Sequence, residues 1–231
     1  EASPAATVSI QIVELSDLSS VRQAAEEIRA SFEHIDVLIN NAGIMGIPRR
    51  TSADGFELQF ATNHLGHFAL TGLLLDVLTE RVVNVSSVYH KRGAMNFEDL
   101  QGEASYKPFV AYGQSKLANI LFTLEMDRRL QAAGSALKSV ACHPGYASTN
   151  LQGVGPQMSG NPLMGGLMRV LNAVMAQSQA AGAWPTLLAA TGPVQGGEYF
   201  GPQGFGELRG PAGPAPIEAH GKDPKTAKRL W

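Results

Sequence analysis

Tyr112-Gly113-Gln114-Ser115-Lys116 opens an apolar segment, Leu117 through Leu130, in which the charges Glu125, Asp127, Arg128 and Arg129 arrive late. That pattern predicts a helix, and on a helix positions four apart share a face, so Lys116 sits one turn from Tyr112. A phenol titrates near pH 10 and exchanges protons poorly at neutral pH. An ammonium about 4 Å away favours the phenolate by roughly 4 kcal/mol at an effective dielectric near 20. That equals about 3 pKa units, enough to bring the group close to 7, where acid–base exchange works best. A Tyr and a Lys at this spacing also arise by chance, so the pair gains meaning only from its surroundings. Upstream, Arg81-Val82-Val83-Asn84-Val85-Ser86-Ser87 is a short apolar strand ending in two hydroxyls. Ile35-Asp36-Val37-Leu38-Ile39 runs into an Asn40-Asn41-Ala42-Gly43 turn, and His143-Pro144-Gly145 directly follows a third strand.

Working outward, Val8, Ile10 and Ile12 alternate with Ser9 and Gln11, which predicts another strand ending at Glu14-Leu15. Ser16 or Asp17 then caps a helix whose apolar positions Leu18, Val21, Ala25, Ile28 and Phe32 fall three and four apart. Val37 to Ile39 is a continuous apolar run, as expected where helices cover both faces of a parallel sheet. A long helix is predicted from Asp54 to about Leu78, then the Val82–Val85 strand, the Tyr112 helix and a strand from about Leu137 to Cys142. A helix near Ala176–Thr191 and a short strand at Glu198–Phe200 follow, and the Gly- and Pro-rich tail from Gly201 to Pro216 reads as irregular. Strand–helix alternation of this kind specifies an α/β fold: a doubly wound, Rossmann-like parallel sheet in a three-layer α/β/α sandwich.

Composition narrows the function classes. The 231 residues suit one domain, and 44% apolar with 16% charged residues is ordinary for a globular enzyme. A formal charge of -2 with no stripe of Lys and Arg gives nucleic acid no footprint. Cys142 is the single cysteine, so no internal disulfide forms; strand burial accounts for it better than a nucleophile does. Val170 to Gly197 carries no charge, but Asn172, Gln177, Ser178, Gln179 and Pro185 interrupt it, which fits a buried helix rather than a membrane span. With no signal peptide in view, the expected location is cytoplasmic. His64, His67, His90 and His143 form no metal-ligand constellation, so no metal is expected. A serine hydrolase using Ser86 or Ser87 lacks the Gly-x-Ser-x-Gly elbow.

Taken together, the Asn40-Asn41-Ala42-Gly43 turn, Asn63 in Asn63-His64-Leu65-Gly66-His67-Phe68, the strand-end Ser87, Tyr112-x-x-x-Lys116 and the Pro144-Gly145-x-x-x-Thr149 turn resemble the short-chain dehydrogenase/reductase family, in that family's order. The long loop containing Phe97-Glu98-Asp99-Leu100 is similar to that of its retinol-dehydrogenase and protochlorophyllide-reductase-like subgroup. The resemblance implies an NAD(P)-dependent oxidoreductase interconverting a carbonyl and an alcohol, with NADP favoured over NAD by the subgroup. It implies Tyr112 as acid–base, Lys116 lowering the Tyr112 pKa and bonding the nicotinamide ribose, Ser87 holding the substrate carbonyl, and Asn63 kinking its helix and holding a water that links Lys116 to solvent. It further implies Asn41, Ala42 and Gly43 on the adenosine side, Pro144, Gly145, Tyr146 and Thr149 around the nicotinamide amide, and Glu14 and Leu15 near adenine.

The family usually begins with a strand, a glycine-rich turn and a helix that receives the pyrophosphate, whereas this sequence begins near the third strand. The expectation is one dinucleotide-binding domain over residues 1–231, truncated at the N-terminus, with a substrate lid over 146–175. Leu151, Met158, Leu163, Met164, Leu167 and Met168 near the pocket mouth suggest a fairly apolar small-molecule substrate. The resemblance also implies a homodimer or homotetramer built on the long apolar helices. A non-catalytic dinucleotide sensor or scaffold of the same fold is the alternative.

Overall fold

A computed structural model describes residues 6–146 and 177–231. Asp17 caps the first helix, α1 (Leu18–Ser31), by accepting from the amides of Ser19 and Ser20, which leaves Val21, Ala24 and Ala25 on its buried face. Strand β1 (Ile35–Asn40) follows. The next helical run starts at Leu58 rather than Asp54, because the Glu57 carboxylate, not Asp54, accepts from the amides of Gln59 and Phe60. The Asp54 carboxylate instead receives the Leu18 amide at 2.9 Å, tying the turn to the start of α1. The run comprises α2 (Leu58–Phe60), a π-turn over Ala61–Leu65 and α3 (Gly66–Leu74).

Strand β2 (Leu78–Val85) begins where that helix was expected to end, and a 3₁₀ turn, Val88–Arg92, follows the two serines. Helix α4 (Pro108–Ala132) starts four residues before Tyr112, with proline in its first turn where the missing amide costs nothing. The remaining elements are β3 (Lys138–Cys142), α5 (Gln179–Thr191), β4 (Tyr199–Pro202), β5 (Ala212–Pro214) and α6 (Pro224–Leu230).

The five strands lie in the order β1-β2-β3-β4-β5. The first four are parallel, and β5 returns antiparallel on β4 with Gly201 opposite Gly213. The tail expected to be irregular therefore contributes a short edge strand. Alternation along β2 sends Val82 into a core shared with Val21, Leu74, Phe122 and Met126, while Val83 and Val85 face Val140, Ala189 and Phe200 on the other side. Helices α1, α3 and α4 cover one face and α5 the other, giving the expected three layers.

The strand expected at Val8–Ile12 does not form: the three apolar side chains are 78%, 85% and 79% exposed. Alternation sets which side chains share a face, but a strand persists only beside a partner, and among the described residues β1 pairs only with β2. No helix among the described residues is long and apolar enough to cross a membrane.

Candidate active site

Parallel strands share one carboxyl edge, and there β1 runs into Asn41-Ala42-Gly43, β2 into Ser86-Ser87 and β3 into His143-Pro144-Gly145. The edge is where open α/β sheets bind ligands. Helix α4 crosses beside it with Tyr112 and Lys116 buried at 3% and 4% exposure. This close approach depends on two glycines. A Cβ on Gly93 would lie 2.4 Å from the Gly113 carbonyl oxygen, and one on Gly113 would lie 3.3 Å from the carbonyl oxygen of Tyr89. Side chains at either position would push the helix away from the segment that follows Ser87.

The two serines separate by role. The Ser86 hydroxyl is buried and donates to the Lys116 carbonyl at 2.8 Å, a structural bond across the sheet edge. The Ser87 hydroxyl lies near the Tyr112 phenol. Its hydroxyl also accepts from the Tyr89 amide at 3.3 Å, capping the 3₁₀ turn. Tyr89 packs edge-on against Tyr112 at 5.5 Å between ring centres, with Phe109 stacked on its far side at 5.7 Å.

Burial pushes the Tyr112 phenol up to about 12, and the nearby Ser87 hydroxyl offsets only part of that rise. Burial also lowers Lys116, to about 8. The depression of the Tyr112 pKa expected from the Tyr–Lys spacing is therefore not met in this arrangement. The reason is desolvation, which outweighs the ammonium 5.8 Å from the centre of the Tyr112 ring, itself donating to the Val85 carbonyl at 3.0 Å.

Asn63 sits in the π-turn, which sets its amide crosswise to α4. Its Nδ2 donates to the Ser115 hydroxyl at 2.9 Å and to the Ile44 carbonyl at 2.9 Å, while its Oδ1 accepts the Ile44 amide at 2.8 Å. A Cβ on Gly43 would fall 2.9 Å from Asn63 Oδ1 and 3.4 Å from Lys116 Nζ, so Gly43, Asn63 and Lys116 adjoin one space. The Asn63 backbone carbonyl faces His67 Nδ1 at 3.1 Å. Burial lowers His64 and His67 to about 4, and both are neutral at pH 7.

Of the expected cofactor residues, Asn41 and Ala42 are exposed at the end of β1, and Pro144, Gly145 and Tyr146 stand at the end of β3, with Gly145 at φ 68°. Glu14 and Leu15 lie elsewhere in character. The Glu14 carboxylate accepts from the Ser16 amide and hydroxyl at 3.0 and 2.7 Å, and Leu15 is buried in the core beneath α1 and α3. Thr149, the apolar residues Leu151 to Met168 and all of the lid expected over 146–175 except Tyr146 lie outside the described residues. Burial raises the Cys142 thiol to about 11, which leaves it protonated and unreactive.

Sequence reasoning missed a partly buried group beside the site, in which Glu207 lies within reach of both Lys91 and His143. His143 was weighed only as a metal ligand, and a lone Glu in a glycine-rich tail carries no local signal.

The profile described as short chain dehydrogenase matches residues 2–158. Human retinol dehydrogenase 13 is 39% identical over 232 residues, covering 97% of this chain and 66% of the relative. Human retinol dehydrogenase 11 is 49% identical over 148 residues, covering 62% of this chain and 46% of the relative. The chain thus spans between about half and two thirds of the curated relatives it matches. Among solved structures, an uncharacterised protein of Mycobacterium paratuberculosis superposes with a TM-score of 0.76 at 45% identity, covering 95% of this chain and 71% of that one. A short chain dehydrogenase of Burkholderia cenocepacia, solved with NADP, has a TM-score of 0.59 at 19% identity, covering 81% of this chain and 71% of that one, and shares the fold.

Proposed function

The chain belongs to the short-chain dehydrogenase family, and from that premise we propose that the protein is an NAD(P)-dependent oxidoreductase interconverting a carbonyl and an alcohol on a fairly apolar small molecule. The observation that carries this reading is the pair Tyr112 and Lys116, both buried one turn apart on α4 at the sheet's carboxyl edge, with the Ser87 hydroxyl near the phenol. Asn41, Ala42 and Gly43 after β1 and Pro144, Gly145 and Tyr146 after β3 would hold the dinucleotide. They fit it because the space above Gly43 is one that a side chain would fill against Asn63 and Lys116. Glu14 and Leu15 are proposed near the adenine, Glu14 being also bonded to Ser16 and Leu15 packed against the core. When bound, the nicotinamide supplies or accepts the hydride.

The protein's own groups handle the proton and the charge. A phenol held near 12 keeps its proton throughout the neutral range, so Tyr112 enters a reduction as a donor. Ser87 would hold the substrate oxygen beside that phenol and stabilise the charge that develops there. As Tyr112 gives up its proton, the Lys116 ammonium lies close enough to favour the phenolate, and in oxidation the transfer runs backwards. Asn63 fixes Ser115, and through it the turn of α4 that carries Tyr112, since the Ser115 hydroxyl donates to the Tyr112 carbonyl at 2.8 Å.

The test is cofactor oxidation by the full-length protein with NADPH and NADH over a panel of aldehydes and quinones. Turnover that Tyr112→Phe removes by about 100-fold or more, with cofactor affinity held within a few-fold, supports the proposal. Cofactor binding without turnover in the unaltered protein would instead support a dinucleotide sensor. The proposal extends to a homodimer or homotetramer in the cytoplasm, and sedimentation showing only monomer at micromolar concentration would remove the oligomer from it.

A further inference from the structure

Three segments from distant parts of the chain meet behind the Ser87–Tyr112 pair: the 3₁₀ turn after Ser87, the His143–Gly145 turn after β3, and the loop between β4 and β5. Glu207 in that loop is the one residue other than glycine with positive φ among the described residues, at 56°. Left-handed backbone at such a residue costs about 1 kcal/mol or more and persists only where its surroundings hold it. Its amide donates to the Gly204 carbonyl at 3.0 Å, and its carboxylate is held by an ion pair and a histidine contact. One carboxylate oxygen meets Lys91 Nζ at 2.5 Å, and the other faces His143 Nε2 at 3.3 Å without the alignment of a full hydrogen bond. The side chains of Lys91, Glu207 and His143 are 26%, 18% and 0% exposed, so solvent screens the group little.

The chain continues from His143 into the site. The Gly145 amide donates to His143 Nδ1 at 3.2 Å, which places the imidazole proton on Nε2, the atom that faces Glu207. The fold makes room for this ring: a Cβ on Gly201 would lie 1.9 Å from His143 Nε2. The loop backbone also lies flush on the turn. The Tyr146 amide donates to the Leu208 carbonyl at 2.7 Å, and a Cβ on Gly145 would lie 2.5 Å from that same oxygen. Lys91, at the opposite end of the bridge, stands on the turn that Ser87 caps.

We propose that Glu207 is a positioning residue for the reaction, bridging Lys91 and His143 so that the Ser87 segment and the Pro144–Tyr146 turn on the nicotinamide side keep a fixed separation. This rests on the oxidoreductase reading, in which those two segments hold the substrate oxygen and the cofactor. Glu207 itself touches neither.

The test uses the full-length protein and the variants Glu207→Gln, Glu207→Gly and Lys91→Met. Glycine removes the carboxylate but accepts the positive φ at no cost, so it separates the carboxylate's contacts from the backbone conformation. Two readouts are taken: hydrogen exchange of the Tyr146 amide, and kcat and KM for NADPH. The expected result is about tenfold faster exchange and an NADPH KM raised about tenfold in all three variants, the scale of a small displacement near a reacting centre. The KM for the carbonyl substrate stays nearly unchanged, and the Glu207→Gln/Lys91→Met double variant loses little beyond either single one. Exchange and NADPH KM both unchanged in the glycine variant and in Lys91→Met overturn the proposal, whether or not Glu207→Gln folds. If the unaltered protein neither binds nor oxidises NADPH, the oxidoreductase reading fails, while amide exchange still decides whether Glu207 fixes the turn.

Discussion

Mild acid should unfold this protein through its histidines before its carboxylates respond. His64 and His67 are 2% and 5% exposed, and burial lowers each to about 4 from an ordinary 6.5. Because the folded value lies below the unfolded one, the unfolded chain takes up the proton first as pH falls. Stability is therefore full above about 6.5 and is lost progressively down to 4. Between pH 7 and 5 the linkage relation gives a loss of about 2 kcal/mol per histidine, or about 4 kcal/mol for the pair. His90, also buried and lowered to about 4, adds to this. Glu125 and Glu207 are held down at about 2 by their basic neighbours, so their contribution is lost as pH falls from the ordinary carboxylate range near 4.5 toward 2, outside the window. A loss of about 4 kcal/mol is a large part of the 5–15 kcal/mol typical of a domain. Urea unfolding followed by circular dichroism at pH 7 and pH 5, at matched ionic strength, measures it. His64→Met should shrink the difference between the two pH values by about 2 kcal/mol, whatever the substitution costs at either. A drop below about 1 kcal/mol in the parent, or an unaltered difference in the variant, would refute the assignment of neutral buried imidazoles.

The two adjacent serines should part company under alanine substitution. Ser87→Ala is expected to lower kcat for the carbonyl substrate with little change in melting temperature, while Ser86→Ala, which removes a second donor from the Lys116 carbonyl, should cost about 1 kcal/mol of stability and leave the rate near that of the parent. Equal effects on rate would contradict the division of roles. Gly93→Ala should destabilise by about 1–3 kcal/mol in chemical denaturation and reduce turnover, since its methyl group must displace the backbone beside Tyr112. A fully active, equally stable variant would mean that the contact between the serine segment and α4 is slack.

What could be read from the sequence is what local chemistry signals. The strand ends at Asn41, Ser87 and Pro144 announce themselves by an apolar run stopping in small, polar or turn residues, and the structure brings all three to one edge. The Tyr112 helix is legible from its spacing, though not its start at Pro108, because a loop of mixed residues precedes it. Alternation at Val8–Ile12 was misleading because periodicity carries no information about partners. The strand Ala212–Pro214 was hidden by its own glycine and proline, residues that argue for turns and are tolerated in short edge strands. The Lys91–Glu207–His143 group could not be seen at all: its members are far apart in sequence, and only the folded sheet puts them side by side. Likewise, spacing alone favoured a lowered Tyr112 pKa because it counted the cation and not the cost of desolvation.

Helix α4 has a consequence for anyone who tries to improve this protein. Every residue from Tyr112 to Thr123 is buried, so the turns that present the phenol and the ammonium are also a pillar around which both neighbouring helices and the sheet are stacked. A substitution there cannot tune catalysis without disturbing the packing, nor tighten the packing without moving the reacting groups. Directed evolution should therefore find few tolerated changes along this stretch. Gains in durability are more accessible at Gln131 and Ala132, where α4 surfaces after its last core residue, Leu130.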